Sequence, residues 1–481
     1  MTQVSTQPAD PRGSVGQAAK PGPYGPFEPH EPTGPVDRVM DWLIRKLAWS
    51  RLSEPKVAVS LSGAGLLLCM LLGATSPNAE TIKARLPLSI LPSLGHQHVL
   101  ASLMLYTSDI LACLGLAGML WAHSQGWRPN PRRLVLVSSA IVAIMVCLTP
   151  VGSSDTASYA AYGRIAAQGG NPYVTNPRAW GDTAYTHMVG AMWRKTPSVY
   201  GPFATVIQSF AASIGRDNPA VTIWILMILN GAVFISVGLL LLKTSDDPLR
   251  ATLFWTANPV LIMELVGGGH LDTFVAAAAI CAIQVARRVT TAWGDVLAGV
   301  LVGLACGIKI YAVLIGLGLA VPLLLRREWM RTARMTAAAL LTLGLGYSAW
   351  GIDALKPVLG GLKLVTLPSP WRVFELAGQA AGFHQATMAS IISLLWPPAL
   401  LIVAWFIFRR ISSDQPREVV APFALTFAWI LVAPWVFAWY TAVAWAALTQ
   451  VPRNRMSRWL TIVTVLLALC LSSGGHAVPV T

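Results

Sequence analysis

The sequence predicts an all-α polytopic membrane protein, and three observations lead there. Hydrophobic residues make up 54% of its 481 positions and charged residues only 12%. The apolar residues gather into runs long enough to cross a bilayer core, which needs roughly 17–25 residues per helix. Most of the Lys and Arg residues behind the net charge of +14 fall in alternate gaps between those runs. This composition excludes a soluble domain.

Residues 1–37 hold Pro, Gly and polar residues with few apolar anchors, so they are expected to form a disordered cytoplasmic tail. No basic stretch leads directly into an apolar core there, so the tail does not read as a secretory signal. Residues 38–481 read as one transmembrane domain. Its apolar runs centre on 57–73, 99–121, 134–150, 219–242, 249–266, 272–287, 293–307, 309–326, 332–350, 386–408, 419–433, 436–449 and 457–472. That makes about 13 spans by the length criterion. Residues 203–214 are also apolar but are short and contain Gln208 and Ser209, which favours an interfacial helix.

Charge sets the orientation. With the N-terminus cytoplasmic, Arg128, Arg132 and Arg133, the 326–334 cluster, Arg409 and Arg410, and the 453–458 cluster all fall inside, as the positive-inside rule requires. Counting 203–214 as a span would move the last three groups outside. The positive charge therefore reports topology and gives no reason to expect a nucleic-acid partner. Three longer segments, 74–98, 151–218 and 351–385, are then extracytoplasmic, as is the C-terminus. The six cysteines all sit within apolar runs, where they act as small hydrophobes and not as a disulfide or zinc framework.

Ionisable residues at the mouth of a bundle are functional candidates, because an unsolvated charge there is costly. Asp155, in SSDTASYAAYGRIAAQGGNPY, follows the third run directly. It can cap the helix that starts there, or serve as a general base beside Tyr159, Tyr162 and Arg164. In GGGHLDTF, residues 267–274, the alternatives are a glycine turn with Asp272 as cap, or a site holding His270 and Asp272 with Glu264 nearby. Lys309 can snorkel to headgroups or meet a lipid phosphate. Arg372 suits phosphate oxygens, or can pair with Glu375 one turn on. Asp109, at bilayer depth, is a further acid with a structural alternative. In APWVFAWY, residues 433–440, Trp435 and Tyr440 can anchor a span or wall a sugar site. His96 and His98 make a weak ligand pair, and no metal site is expected.

The order of these motifs resembles the polyprenyl-phosphate-mannose-dependent α-1,6-mannosyltransferases of actinobacterial lipomannan and lipoarabinomannan assembly, within the GT-C class. It is carried by Asp155, Tyr159, Tyr162-Gly163-Arg164, Asn171-Pro172-Tyr173, Tyr200-Gly201-Pro202, Asn258-Pro259, Glu264, the glycines 267–269 with His270 and Asp272, Gly307-Ile308-Lys309, Pro434-Trp435 and Trp439-Tyr440. The resemblance implies a GT-C-like bundle in the plasma membrane. It also implies inverting transfer of mannose, on the outer face, from polyprenyl-phosphate mannose to a lipid-anchored α-1,6-mannan. Asp155 maps to the base. Lys309, Arg372 and His270 would meet the donor phosphate, and Tyr159, Tyr162, Arg164, Asn171, Tyr200, Glu264, Asp272, Trp435 and Tyr440 the substrates. No cofactor is implied beyond the donor substrate, and the partners are that donor, the mannan and membrane lipids. The single acid at 153–157 departs from the paired acids common in GT-C loops and favours a metal-independent mechanism. Two alternatives stand beside this reading: a transferase for another lipid-linked sugar or acceptor, and a lipid-linked-sugar flippase.

Overall fold

A computed structural model describes residues 54–76, 84–94, 97–181, 183–360, 364–411 and 416–471. The expected tail at 1–37 and His96 lie outside the described residues, as does the side chain of His98. Among the described residues every regular element is a helix.

A helix stands at each predicted run, and local chemistry explains where most begin. Pro131, Pro219 and Pro259 occupy first turns, where a missing N–H costs nothing. The residues before them, Asn130, Asn218 and Asn258, accept the first orphan amides on their side-chain oxygens. Those same signals break what reads in sequence as one span over 249–266. Pro248–Phe254 ends, Asn258 restarts the chain as Pro259–Leu261, and a π-helical turn follows over Ile262–Gly267.

The structure does not confirm the expected count of about 13 separate spans. Among the described residues four helices are long and apolar enough to cross a membrane alone: Pro55–Ala74, His98–Ser124, Pro219–Thr244 and Gln385–Arg410. Two bent pairs raise the number to six. Pro259–Gly267 meets Asp272–Arg288 at 118°, and Trp329–Ser348 meets Ile352–Gly360 at 105°. Apolar length in sequence does not register such breaks. The apolar helices mark a membrane protein.

The segment after residue 150 folds down onto the bundle instead of trailing away from it. Val151 N donates to Gly267 O at 3.0 Å, tying the start of this segment to the π-helical turn. The Asp155–Ala167 helix packs on Pro202–Gly215, the expected interfacial helix, which buries Gln208 and leaves Val206, Phe210 and Ile214 about half exposed. Gly163 makes the packing possible, since a Cβ there would sit 2.2 Å from Gln208 O. Farther on, Gly201 N donates to Ile308 O at 3.0 Å and Phe203 N to Gly307 O at 2.8 Å. A Cβ on Gly201 would meet Gly307 O at 2.4 Å, so main chain lies on main chain at this crossing.

Gly163→Val should force these two helices apart. We expect destabilisation of about 1–3 kcal/mol, the usual cost of overpacking. Thermal unfolding followed by tryptophan fluorescence in detergent should show it as a lowered midpoint, with Gly163→Ala falling between the two.

Candidate active site

A cavity of about 510 Å³ opens where the folded-down segment meets the bundle. That is within the size range of a small-molecule site. Asp155, Tyr200, Lys309, Arg372, Trp435 and Tyr440 all line it, though they are spread across nearly 300 positions of the chain.

Asp155 is the first residue of its helix, and the capping position belongs to Ser154, so the expectation that Asp155 is the cap is not met. Its amide donates to Ser153 Oγ at 3.1 Å, and its carboxylate is left for other partners. Tyr159, one turn on, donates its hydroxyl to Asp155 Oδ2 at 3.1 Å. His270 Nδ1 approaches the same oxygen to 3.4 Å, without the geometry of a hydrogen bond. Burial acts to raise the carboxyl pKa, but the close His270 ring, the Lys309 charge and the Tyr159 hydrogen bond outweigh it. Asp155 is therefore held below its ordinary range and ionised, with its side chain 23% exposed. Burial, and then the Asp155 charge, push the Tyr159 phenol well up, so it remains a donor.

His270 itself is buried. It stacks on Trp439 at 3.7 Å with an 11° interplanar angle, and its carbonyl accepts from Asn230 Nδ2 at 2.7 Å. It is not among the residues that line the large cavity, and its ring lies against Asp155 instead.

Lys309 does not snorkel outward. It is 8% exposed and donates to Asp272 Oδ2 at 2.6 Å, while Tyr311 donates to Asp272 Oδ1 at 2.8 Å. Asp272, fully buried, follows the cap position Leu271 and is the counter-ion of Lys309. The ammonium also lies 4.6 Å from the Tyr440 ring centroid and 5.8 Å from that of Tyr200. Arg372 Nη1 donates to Glu375 Oε2 at 2.7 Å and still lines the cavity. Its segment is sewn to the 432–436 strand of loop: Thr366 N reaches Pro434 O at 2.8 Å, Ser369 Oγ reaches Ala433 O at 2.9 Å, and Trp371 Nε1 reaches Val432 O at 2.6 Å.

A family profile described as alpha-(1->6)-mannopyranosyltransferase, N-terminal domain, matches residues 59–326. The chain belongs to this family. It is a mannosyltransferase, and Asp155, Tyr200, His270, Asp272 and Lys309 all lie within the matched region. The chain is 24% identical to alpha-(1->6)-mannopyranosyltransferase A of Mycobacterium tuberculosis, over 77% of this chain and 76% of that one. It is 24% identical to alpha-(1->6)-mannopyranosyltransferase B of Corynebacterium glutamicum, over 70% and 65%. It is 26% identical, over 50% and 60%, to a Mycolicibacterium smegmatis protein named polyprenol-phosphate-mannose-dependent alpha-(1-2)-phosphatidylinositol pentamannoside mannosyltransferase. No solved structure matches it.

Not every residue that carries the family resemblance reaches the cavity. Tyr162 donates to Thr196 O at 2.9 Å, Arg164 pairs with Asp217, and Asn171 Nδ2 donates to Trp350 O at 2.9 Å. These three brace the folded-down segment, and none lines the large cavity, contrary to expectation. Glu264 lines a separate cavity of about 20 Å³, together with Asp109, Cys69 and the inner side of His270. Sequence reasoning missed Trp193, Tyr311, Trp396 and Trp429 on the large cavity, and Asn230 behind it. The one signal for Asn230 was an amide in the middle of an apolar run.

Asp272→Leu should strand the Lys309 ammonium in a buried site and destabilise the protein by about 3–5 kcal/mol. The double variant Asp272→Leu/Lys309→Met should recover most of that in thermal unfolding while leaving mannosyl transfer undetectable.

Proposed function

We propose that this mannosyltransferase moves mannose from a polyprenyl-phosphate donor to an α-1,6-mannan on the outer face of the membrane, with inversion at the anomeric carbon and Asp155 as base. The observation that carries the reading is one cavity shared by an ionised carboxylate, Asp155, and two cations, Lys309 and Arg372. A lipid phosphate presents its charge to the cations, and Val358, Leu364, Leu367 and Trp396 supply an apolar wall for the first prenyl units. The donor named for the Mycolicibacterium relative supports the same choice.

The step is a single displacement. The acceptor's 6-oxygen forms its bond to the anomeric carbon while the bond from that carbon to the phosphate oxygen breaks on the opposite side. The hydroxyl proton passes to Asp155, and the electron pair leaves with the phosphate. Phosphate needs no proton to depart, so one carboxylate suffices. Lys309 and Arg372 stabilise the charge that grows on it. Asp272 and Glu375 hold those cations in place, and Tyr159 and His270 keep Asp155 unprotonated. Membership of a mannosyltransferase family gives no support to the flippase alternative.

The test uses purified protein in lipid, polyprenyl-phosphate mannose and a short α-1,6-mannoside. Asp155→Asn should cut turnover by about 10²- to 10⁴-fold with folding intact; activity near wild type would move the base elsewhere.

The acid limb gives a second check. Because the folded-state pKa of Asp155 is lowered, the base form persists as pH falls, and activity fails only beneath the ordinary carboxylate range. Replacing His270 by Gln removes the imidazole that lies against Asp155 Oδ2 and leaves burial less opposed, so the acid limb of kcat/KM should move to higher pH.

A further inference from the structure

The residues around the large cavity fall into chemically unlike groups. The two cations and the apolar residues at 358–367 and 396 suit a charged lipid phosphate and its chain. Gly152 to Asp155 and Trp193 carry no cation, and they bring the carboxylate beside an indole.

Trp193 is firmly placed. It stands on the short helix Ala191–Arg194, whose Trp193 N donates to Gly190 O at 2.9 Å. Arg194 locks the same turn, with Nε donating to Val189 O at 2.6 Å and Nη2 to His187 O at 3.0 Å. Gly190 lies between the indole and the Asp155 helix. A Cβ built on it would be 3.9 Å from Trp193 Cδ1 and 3.7 Å from Ser154 Oγ. Trp435 meets Trp193 edge to face, with centroids 6.5 Å apart and an 81° interplanar angle, and both indoles are only partly buried. An edge-to-face pair leaves at least one face of each ring outside the contact. An uncharged ligand with an apolar C–H face and a rim of hydroxyls fits such a surface, and a phosphate does not.

We propose that Trp193, braced by Trp435, is the platform on which the acceptor's last sugars stack, so that the terminal 6-hydroxyl is presented to Asp155. This rests on the transferase reading above and adds a place and a length to its acceptor: two rings grip the last two units of an α-1,6-mannan. Trp193 is then a specificity-determining residue that plays no part in donor binding.

The experiment is steady-state transfer by the full chain in lipid vesicles, with polyprenyl-phosphate mannose and α-1,6-mannosides of one, two and three units. Wild type should show a lower acceptor KM for the disaccharide than for the monosaccharide, and little further gain for the trisaccharide. Trp193→Ala should raise the disaccharide KM on the order of tenfold, the scale of one lost stacking contact. In that variant the ratio between mono- and disaccharide should collapse toward one, while donor KM stays within about a factor of two, a change equivalent to a few tenths of a kcal/mol. Trp193→Phe should keep most of the ratio. A folded Trp193→Ala with the wild-type acceptor ratio overturns the platform, as does a parallel rise in donor and acceptor KM. If Trp193→Ala does not fold, Trp435→Ala takes its place, and an unchanged ratio there overturns the proposal equally. Wild-type protein that transfers no mannose to any of these acceptors overturns the transferase reading itself, so the two failures are told apart.

Discussion

A buried ammonium needs a counter-ion, and much of the site follows from how Lys309 obtains one. Asp272 stands at the start of a helix, immediately after a 118° bend, and Lys309 stands just before the short 3-10 helix Ile310–Ala312. Their 2.6 Å contact joins the bent pair to the 307–309 turn. Taking two such charges out of water costs several kcal/mol per ion, recovered only with good geometry and further hydrogen bonds. Tyr311 supplies one to the remaining oxygen of Asp272, and the rings of Tyr440 and Tyr200 lie within cation–π reach of the ammonium. The result is a cation that is neutralised from below and still available to the cavity from above.

Asp155 and Asp272 show how environment divides labour between two identical side chains. Asp272 is fully enclosed and committed to Lys309 and Tyr311. Asp155 keeps an exposed edge, and its stabilising neighbours, Tyr159 and His270, both approach Oδ2. Stacking between His270 and Trp439 fixes the ring plane, and Asn230 fixes the backbone that carries it. A base in this setting is kept ionised by geometry, which suits a reaction whose leaving group accepts its charge without a proton.

Local signals made the helices legible in the sequence. The length of an apolar run is a property of consecutive residues, so the helices could be placed without reference to the rest of the fold. Asp155 was legible for a similar reason, being the acid that directly follows an apolar run. The partners of these residues were not. Asp155 and His270 are 115 positions apart, and Lys309 finds Asp272 across 37, distances over which residue type alone says nothing about contact. Hence the sequence leaves Lys309 between snorkelling and a lipid phosphate, Asp272 between a cap and a site residue, and Arg164 beside the pocket, and it shows none of the ion pairs that each makes. Breaks within a run were illegible for a related reason: the run 249–266 is apolar nearly throughout, yet Asn258 and Pro259 interrupt it where hydropathy has no sensor.

The crossing of residues 201–203 over 307–308 has a consequence for how such an enzyme can change over time. It joins the tyrosine at 200 to the lysine at 309 through amides and carbonyls, the only atoms that every residue shares. Replacing side chains elsewhere cannot delete those bonds, and the absence of side chains at 201 and 307 lets the two strands touch. The spacing between the segment that carries Asp155 and the turn that carries Lys309 is thereby largely insulated from drift, so a lineage could rewrite most of its sequence and inherit the same gap between these two charges.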